Sequence, residues 1–188
     1  MRLPRYLYHF TSKTNLSKIL KEGLYGSFNF WDDQVRGVNV YMVDMQNFAK
    51  NWSKDTGKGY NLQSCLIFGQ ALKGDCRDLC CLRITTDKLT SPVSIRSQKY
   101  LINKNSIKAG SEVVAKGEKY KLYQRNGHAI EYIHQGDIDP SAIELVGSAT
   151  VSKNIDNIFE CGAEKLNKEA LKMLKTIFGK TKELKALE

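Results

Sequence analysis

The sequence predicts an α+β fold, built on a mainly antiparallel or mixed sheet in place of a repeated parallel βαβ array. Three observations predict it. Short runs of alternating apolar residues recur from the N-terminus to about Ser152. Helical patterns interrupt them only early, so the order is strand, helix, strand, helix, then mostly strand. From about Asn154 the apolar spacing becomes helical and stays so to the end. A chain of 188 residues, 41% hydrophobic and 26% charged, is long enough to bury one ordinary globular core.

The elements follow in order. Residues 5 to 10 read as a strand. Thr14 is placed to cap a helix from Asn15 to Glu22, with Leu16, Ile19 and Leu20 on one face and Gly23 as its stop. "GVNVYMV" (37 to 43) alternates as a second strand. Asp44 caps a helix through about Ser53, with Phe48 and Trp52 at i and i+4. "SKDTGKGYN" is a loop by composition. "SCLIFGQAL" and "DLCCLRITT" are strands joined by a Lys-Gly-Asp turn signal, and "DKLTSPVS" is a loop or short helical turn. Residues 98 to 127 are rich in lysine, show little periodicity, and read as irregular. "HAIEYIH" (128 to 134) is a strand, "GDIDPSAI" a turn in which Pro140 starts a helical turn, and "IELVGSATVS" the last strand. In the helical tail Leu171, Leu174, Ile177 and Phe178 have core-facing spacing.

Several function classes fall away. No window approaches the ~18 to 20 apolar residues of a membrane span, so no membrane partner is expected. "MRLPRYLYHF" has two arginines but no apolar signal core, so an unprocessed, cytoplasmic chain is expected. The five cysteines, Cys65, Cys76, Cys80, Cys81 and Cys161, are odd in number and irregularly spaced, which argues for a reducing compartment. Cys76, Cys80 and Cys81 form no CxxC pair and have no histidine nearby. Cys80 and Cys81 therefore read as small apolar strand residues, and no metal is expected. A two-histidine phosphodiesterase needs two H-x-[ST] motifs. His9 supplies one, but His128 is followed by Ala-Ile and His134 by Gln-Gly. No P-loop or GxGxxG occurs. The net charge of +9, from 29 Lys plus Arg against 20 Asp plus Glu, favours an anionic partner. Much of the excess sits in residues 50 to 60, 96 to 108 and the tail, where a solvated face is the plain alternative.

Three residues sit oddly in their strands. Period two puts Ala129, Glu131 and Ile133 on one face of "HAIEYIH". A carboxylate in such company is costly unless paired, and is often functional. It could equally belong to the solvated face of an edge strand. Tyr41 is central in "VNVYMVD", where tyrosine is at home in any case. His9 ends the first strand, and a hydrogen bond to backbone would account for it.

Order and spacing add meaning. A histidine on the first strand, a tyrosine on the second and a glutamate on a late strand resemble the H-Y-E class of ADP-ribosyltransferase folds, which includes diphtheria-toxin-like enzymes and poly(ADP-ribose) polymerases. The first motif, H-x-T, is "HFT" (His9, Thr11). The second, Y-x10-Y, is "YMVDMQNFAKNW", with Trp52 replacing the second tyrosine. The glutamate lies in "IEYI". "YHFTSKTNLSKILKEGL" and "EYIHQGDIDPSAIELV" are also similar to the opening and closing segments of bacterial proteins of this fold, including DarT-type DNA-modifying toxins. The resemblance covers roughly residues 5 to 147. Arginine-modifying relatives carry a second glutamate two residues before the catalytic one. Here that position is Ala129, which argues against an arginine acceptor.

The resemblance implies a split pair of bent mixed or antiparallel sheets, flanked by helices, in residues 1–150. Residues 151–188 would be a C-terminal helical extension packed on the same domain. It implies NAD as a substrate and cleavage of its ribose–nicotinamide bond, through a transition state like that of glycoside hydrolysis. Glu131 would be the catalytic carboxylate. His9, Thr11, Asn15, Tyr41 and Trp52 would bind NAD, the two aromatics by stacking on nicotinamide; Arg36 is a looser candidate. The segment before the glutamate usually helps to choose the acceptor. Here it carries Lys116, Lys119, Lys121, Tyr123 and Arg125, suited to DNA, RNA or an acidic protein. A solvated loop is again the plain alternative. The toxin likeness allows an antitoxin or inhibitor as a further partner, and delivery to a host cytoplasm without a cleavable signal. The rival to an enzyme is a basic binding module on the same fold.

Overall fold

The computed structural model describes residues 3–28, 37–45, 77–103, 106–114, 128–152 and 163–179. The first strand, β1 (Tyr6–Ser12), runs two residues past its expected end. Its alternation divides it cleanly: Tyr8 and Phe10 enter one core, Leu7 another. A 3-10 turn (Lys13–Asn15) leads into α1 (Leu16–Glu22). Ser12 caps this entry rather than Thr14. Its Oγ accepts from the Thr14 N–H at 3.4 Å and shares a 2.8 Å bond with Thr14 Oγ1. The tighter 3-10 turn moves the unsatisfied N–H groups closer to the strand, within reach of Ser12. α1 buries Ile19, but Leu20 is 42% exposed, contrary to its expected place on the packed face. A two-turn helix lying on a sheet buries a narrow stripe, and Leu20 falls outside it. Gly23 ends the helix at φ 99°, where a Cβ would come within 2.5 Å of the Ile138 carbonyl.

The remaining strands are β2 (Ser27–Phe28), β3 (Val38–Met42), β4 (Asp78–Thr85), β5 (Val93–Asn103), β6 (Ser106–Val114), β7 (His128–Gln135) and β8 (Ile143–Thr150). They form two sheets, ordered β1-β4-β8 and β2-β3-β7-β5-β6. Every described ladder is antiparallel. Short 3-10 turns at Thr86–Lys88 and Pro140–Ala142 stand where helical turns were expected. Asp139 caps the second, its Oδ1 accepting from the Ser141 N–H at 2.8 Å.

One expectation is overturned. Residues 98 to 114 are not irregular: β5 and β6 form a long hairpin whose pairing runs to Asn103 opposite Ser106. Ladder hydrogen bonds are made by backbone and do not require apolar alternation. An edge strand such as β6 has a neighbour on one side only, so its sequence is weakly constrained. The calls on residues 46 to 53, "SKDTGKGYN", "SCLIFGQAL" and 115 to 127 fall outside the described residues.

Two cores lie on opposite faces of the first sheet. On one face α2 (Ala163–Phe178) packs Ala170, Met173, Leu174, Ile177 and Phe178 against Tyr8, Phe10, Leu79, Cys81 and Ala149. Leu171 is partly buried at the margin of this core. On the other face Leu7, Leu82 and Ile84 meet Val40, Met42, Val93 and Tyr132 of the second sheet, with Ile19 of α1. Cys80 and Cys81 are fully buried in the central strand β4, as the apolar reading of that strand expects. Their neighbour β8 shifts register between the partners of Cys81 and Leu82, pairing Gly147 with one and Leu145 with the other. No described helix is long and apolar enough to cross a membrane.

Candidate active site

The two sheets are joined where β1 passes β3. Tyr8 and Val43 exchange both backbone hydrogen bonds at 2.8 Å, and among the described residues this bridge is isolated. Toward His9 and Tyr41 the regular pairing stops. The gap is spanned by a side chain: His9 Nδ1 lies 2.8 Å from the Tyr41 carbonyl oxygen. A carbonyl can only accept, so Nδ1 carries the proton and Nε2 of the neutral ring is an acceptor. Burial pushes the His9 pKa below its ordinary value, and the bond to the Tyr41 carbonyl opposes that shift. The ring is therefore neutral at pH 7.

The bond unites the first two residues of the sequence motif through the backbone of Tyr41. Strand period by itself would part their side chains. His9 alternates with Leu7, which faces the second core, whereas Tyr41 lies between Val40 and Met42, which also face that core. Tyr41 thus belongs to the other face of β3, where it is half-buried. The His9 ring meets Tyr41 at its backbone carbonyl, not at its side chain.

Tyr41 pairs with Ile133 of β7, and Glu131 lies two residues further along β7. β7 is an interior strand, flanked by β3 and β5, and Tyr132, Ile133 and His134 are at most 2% exposed. Glu131 therefore does not stand on an edge strand. The Cα partner of Glu131 on β5 is Arg96. The Glu131 side chain itself lies outside the described part of the structure.

Thr11 is 8% exposed on β1, opposite Cys80. Asn15 is exposed in the 3-10 turn, and its side chain makes no capping bond to α1. Trp52, Arg36, Lys116, Lys119, Lys121, Tyr123 and Arg125 lie outside the described residues. Among the described residues, no group of three or more His, Cys, Asp or Glu is placed to hold a metal ion.

Two polar positions beside the site were missed by sequence reasoning. Asn39, 2% exposed, opposes Gln135 on β7 and Ser27 on β2, giving a polar row one step along from Tyr41. Its Nδ2 donates to the Gly37 carbonyl at 2.9 Å. The signal was available, since asparagine is unusual in the middle of "GVNVYMV". His134 is 1% exposed; its Nε2 accepts from the Ser91 N–H and its Nδ1 faces the Gly136 carbonyl, both at 3.4 Å. With no hydroxyl residue two positions later, it carried no motif to mark it.

No protein-family model matches the chain, and a search of curated proteins finds no significant match.

Proposed function

We propose that the chain is an NAD-dependent mono-ADP-ribosyltransferase acting on a macromolecular acceptor. The observation that carries this reading is the His9–Tyr41 bond at the parting of two antiparallel sheets, with the strand of Glu131 paired beside Tyr41. In this reading an extended dinucleotide lies along the line where β1 and β3 part. His9, neutral and held through Nδ1, offers Nε2 to a ribose hydroxyl. Tyr41 offers an aromatic face to the flat nicotinamide. In this reading Glu131 is the carboxylate that stabilises the positive charge developing on the ribose as the glycosidic bond breaks and nicotinamide leaves with the bonding electrons. The acceptor then forms the new bond to the same carbon and gives up its proton.

Nicotinamide release by the purified full chain tests the proposal. Glu131→Gln keeps the volume and loses the charge, so turnover should fall by orders of magnitude while NAD affinity, measured by calorimetry, changes little. Nucleic-acid binding without any NAD turnover would overturn it in favour of a binding module.

A further inference from the structure

α2 carries lysine at positions 165, 168, 172 and 175. At 3.6 residues per turn this 3-4-3 spacing confines all four to an arc of roughly 80°. The arc is centred opposite Ala170, Leu174 and Ile177, the residues that seat the helix on the first sheet. All four lysines are exposed. Glu169, half-buried, falls at one flank by the same period, i,i+4 from Lys165 and i,i+3 from Lys172. Lys168 and Lys172 are i,i+4 neighbours, and the outer pairs are i,i+3. Such like-charged neighbours weaken a helix rather than support it. Lys175 alone gains from the helix dipole, in the last turn.

We propose that this stripe is a docking surface for the phosphate backbone of nucleic acid. The proposal does not rest on the transferase reading. From Lys165 to Lys175 the helix rises about 15 Å, over which one nucleic-acid strand presents roughly four phosphates. Lysine is a compact point charge, suited to sequence-independent phosphate contact. Other anionic partners fit less well. The apolar face of α2 is consumed by the core, so the helix has nothing to insert into a bilayer. The crest offers no aromatic or arginine anchor of the kind that dominates protein interfaces. The net charge of +9 is of the matching sign for a polyanion.

The test uses the full chain and a fluorescent mixed-sequence oligonucleotide of about 20 residues, single-stranded or duplex. Anisotropy is followed from about 50 to 200 mM salt. Changing both central residues, Lys168→Gln and Lys172→Gln, should weaken binding at least tenfold at the low-salt end. The slope of log K against log salt should drop by about 1.4 for the single strand or about 1.8 for the duplex. Lys168→Arg with Lys172→Arg should restore both. The glutamine variant should melt no lower than the parent, which separates lost binding from lost folding. Unchanged affinity and slope in that variant, or no binding by the parent chain, would overturn the proposal. So would tighter capture by phosphatidylserine vesicles that is lost in the same variant.

Discussion

His9 and His134 are both held neutral by burial, and each directs a ring nitrogen toward a backbone carbonyl. For His134, burial lowers the pKa, while the Gly136 carbonyl and the charge of Asp137 pull it back in part. Protonation of His134 Nε2 would also place a second N–H against the Ser91 N–H that it now accepts. The consequence for stability has a definite sign. Above about pH 6.5 neither folded nor unfolded chain protonates these rings, and they contribute no slope. Below it the unfolded chain takes up protons that the folded chain refuses, so stability falls as pH falls, until the lowered folded pKa is passed. For nearly inaccessible His134 the slope should reach up to about 1.4 kcal/mol per pH unit. Urea unfolding between pH 7 and 5 checks this: His134→Gln should flatten the dependence even though it lowers stability overall. An unchanged slope would show that the ring titrates freely.

At the scale of elements, β8 and α2 approach each other closely at Gly147. A Cβ on Gly147 would lie 2.4 Å from the Ile177 carbonyl, which is helix backbone and cannot swing aside. Gly147→Ala should therefore lift the C-terminal turns of α2 and destabilise the fold by about 1–3 kcal/mol, the usual range for overpacking. Hydrogen exchange should quicken in α2 before it does in β7. The elements legible in the sequence are those whose apolar residues enter a core: β1, β3, β4 and β8 among the strands, and α2 by Leu174, Ile177 and Phe178. The β5–β6 hairpin was illegible because it is specified by backbone pairing, in a stretch crowded with lysine. The site was legible in the same uneven way. His9 and Tyr41 stood out as residue types at a spacing, but their contact runs through a carbonyl, which no sequence pattern encodes. Asn39 was legible in principle, as a polar break in an apolar alternation.

For the molecule as a whole, the first sheet is the shared wall of both cores. Removing α2 would uncover Tyr8, Phe10, Leu79, Cys81 and Ala149 together. A chain ending at Ser152 should thus lose its cooperative melt and bind a hydrophobic dye, rather than keep a folded site with a free face. A sharp melt in that truncated chain would mean that the second core suffices alone.

The order of assembly makes β1 wait long for its full set of neighbours. Its ladder partner is β4, β4 in turn needs β8, and the helix covering Tyr8 and Phe10 comes later still. A ribosome adds about 5–20 residues per second, so roughly ten to thirty seconds pass between the synthesis of β1 and the arrival of its cover. During that interval the Tyr8 and Phe10 face of "YLYHF" is an apolar, strand-forming surface without its cover. The positively charged residues beside it, Arg2 and Arg5 before and Lys13 after, are placed to keep nascent chains from pairing through it until the last helix emerges.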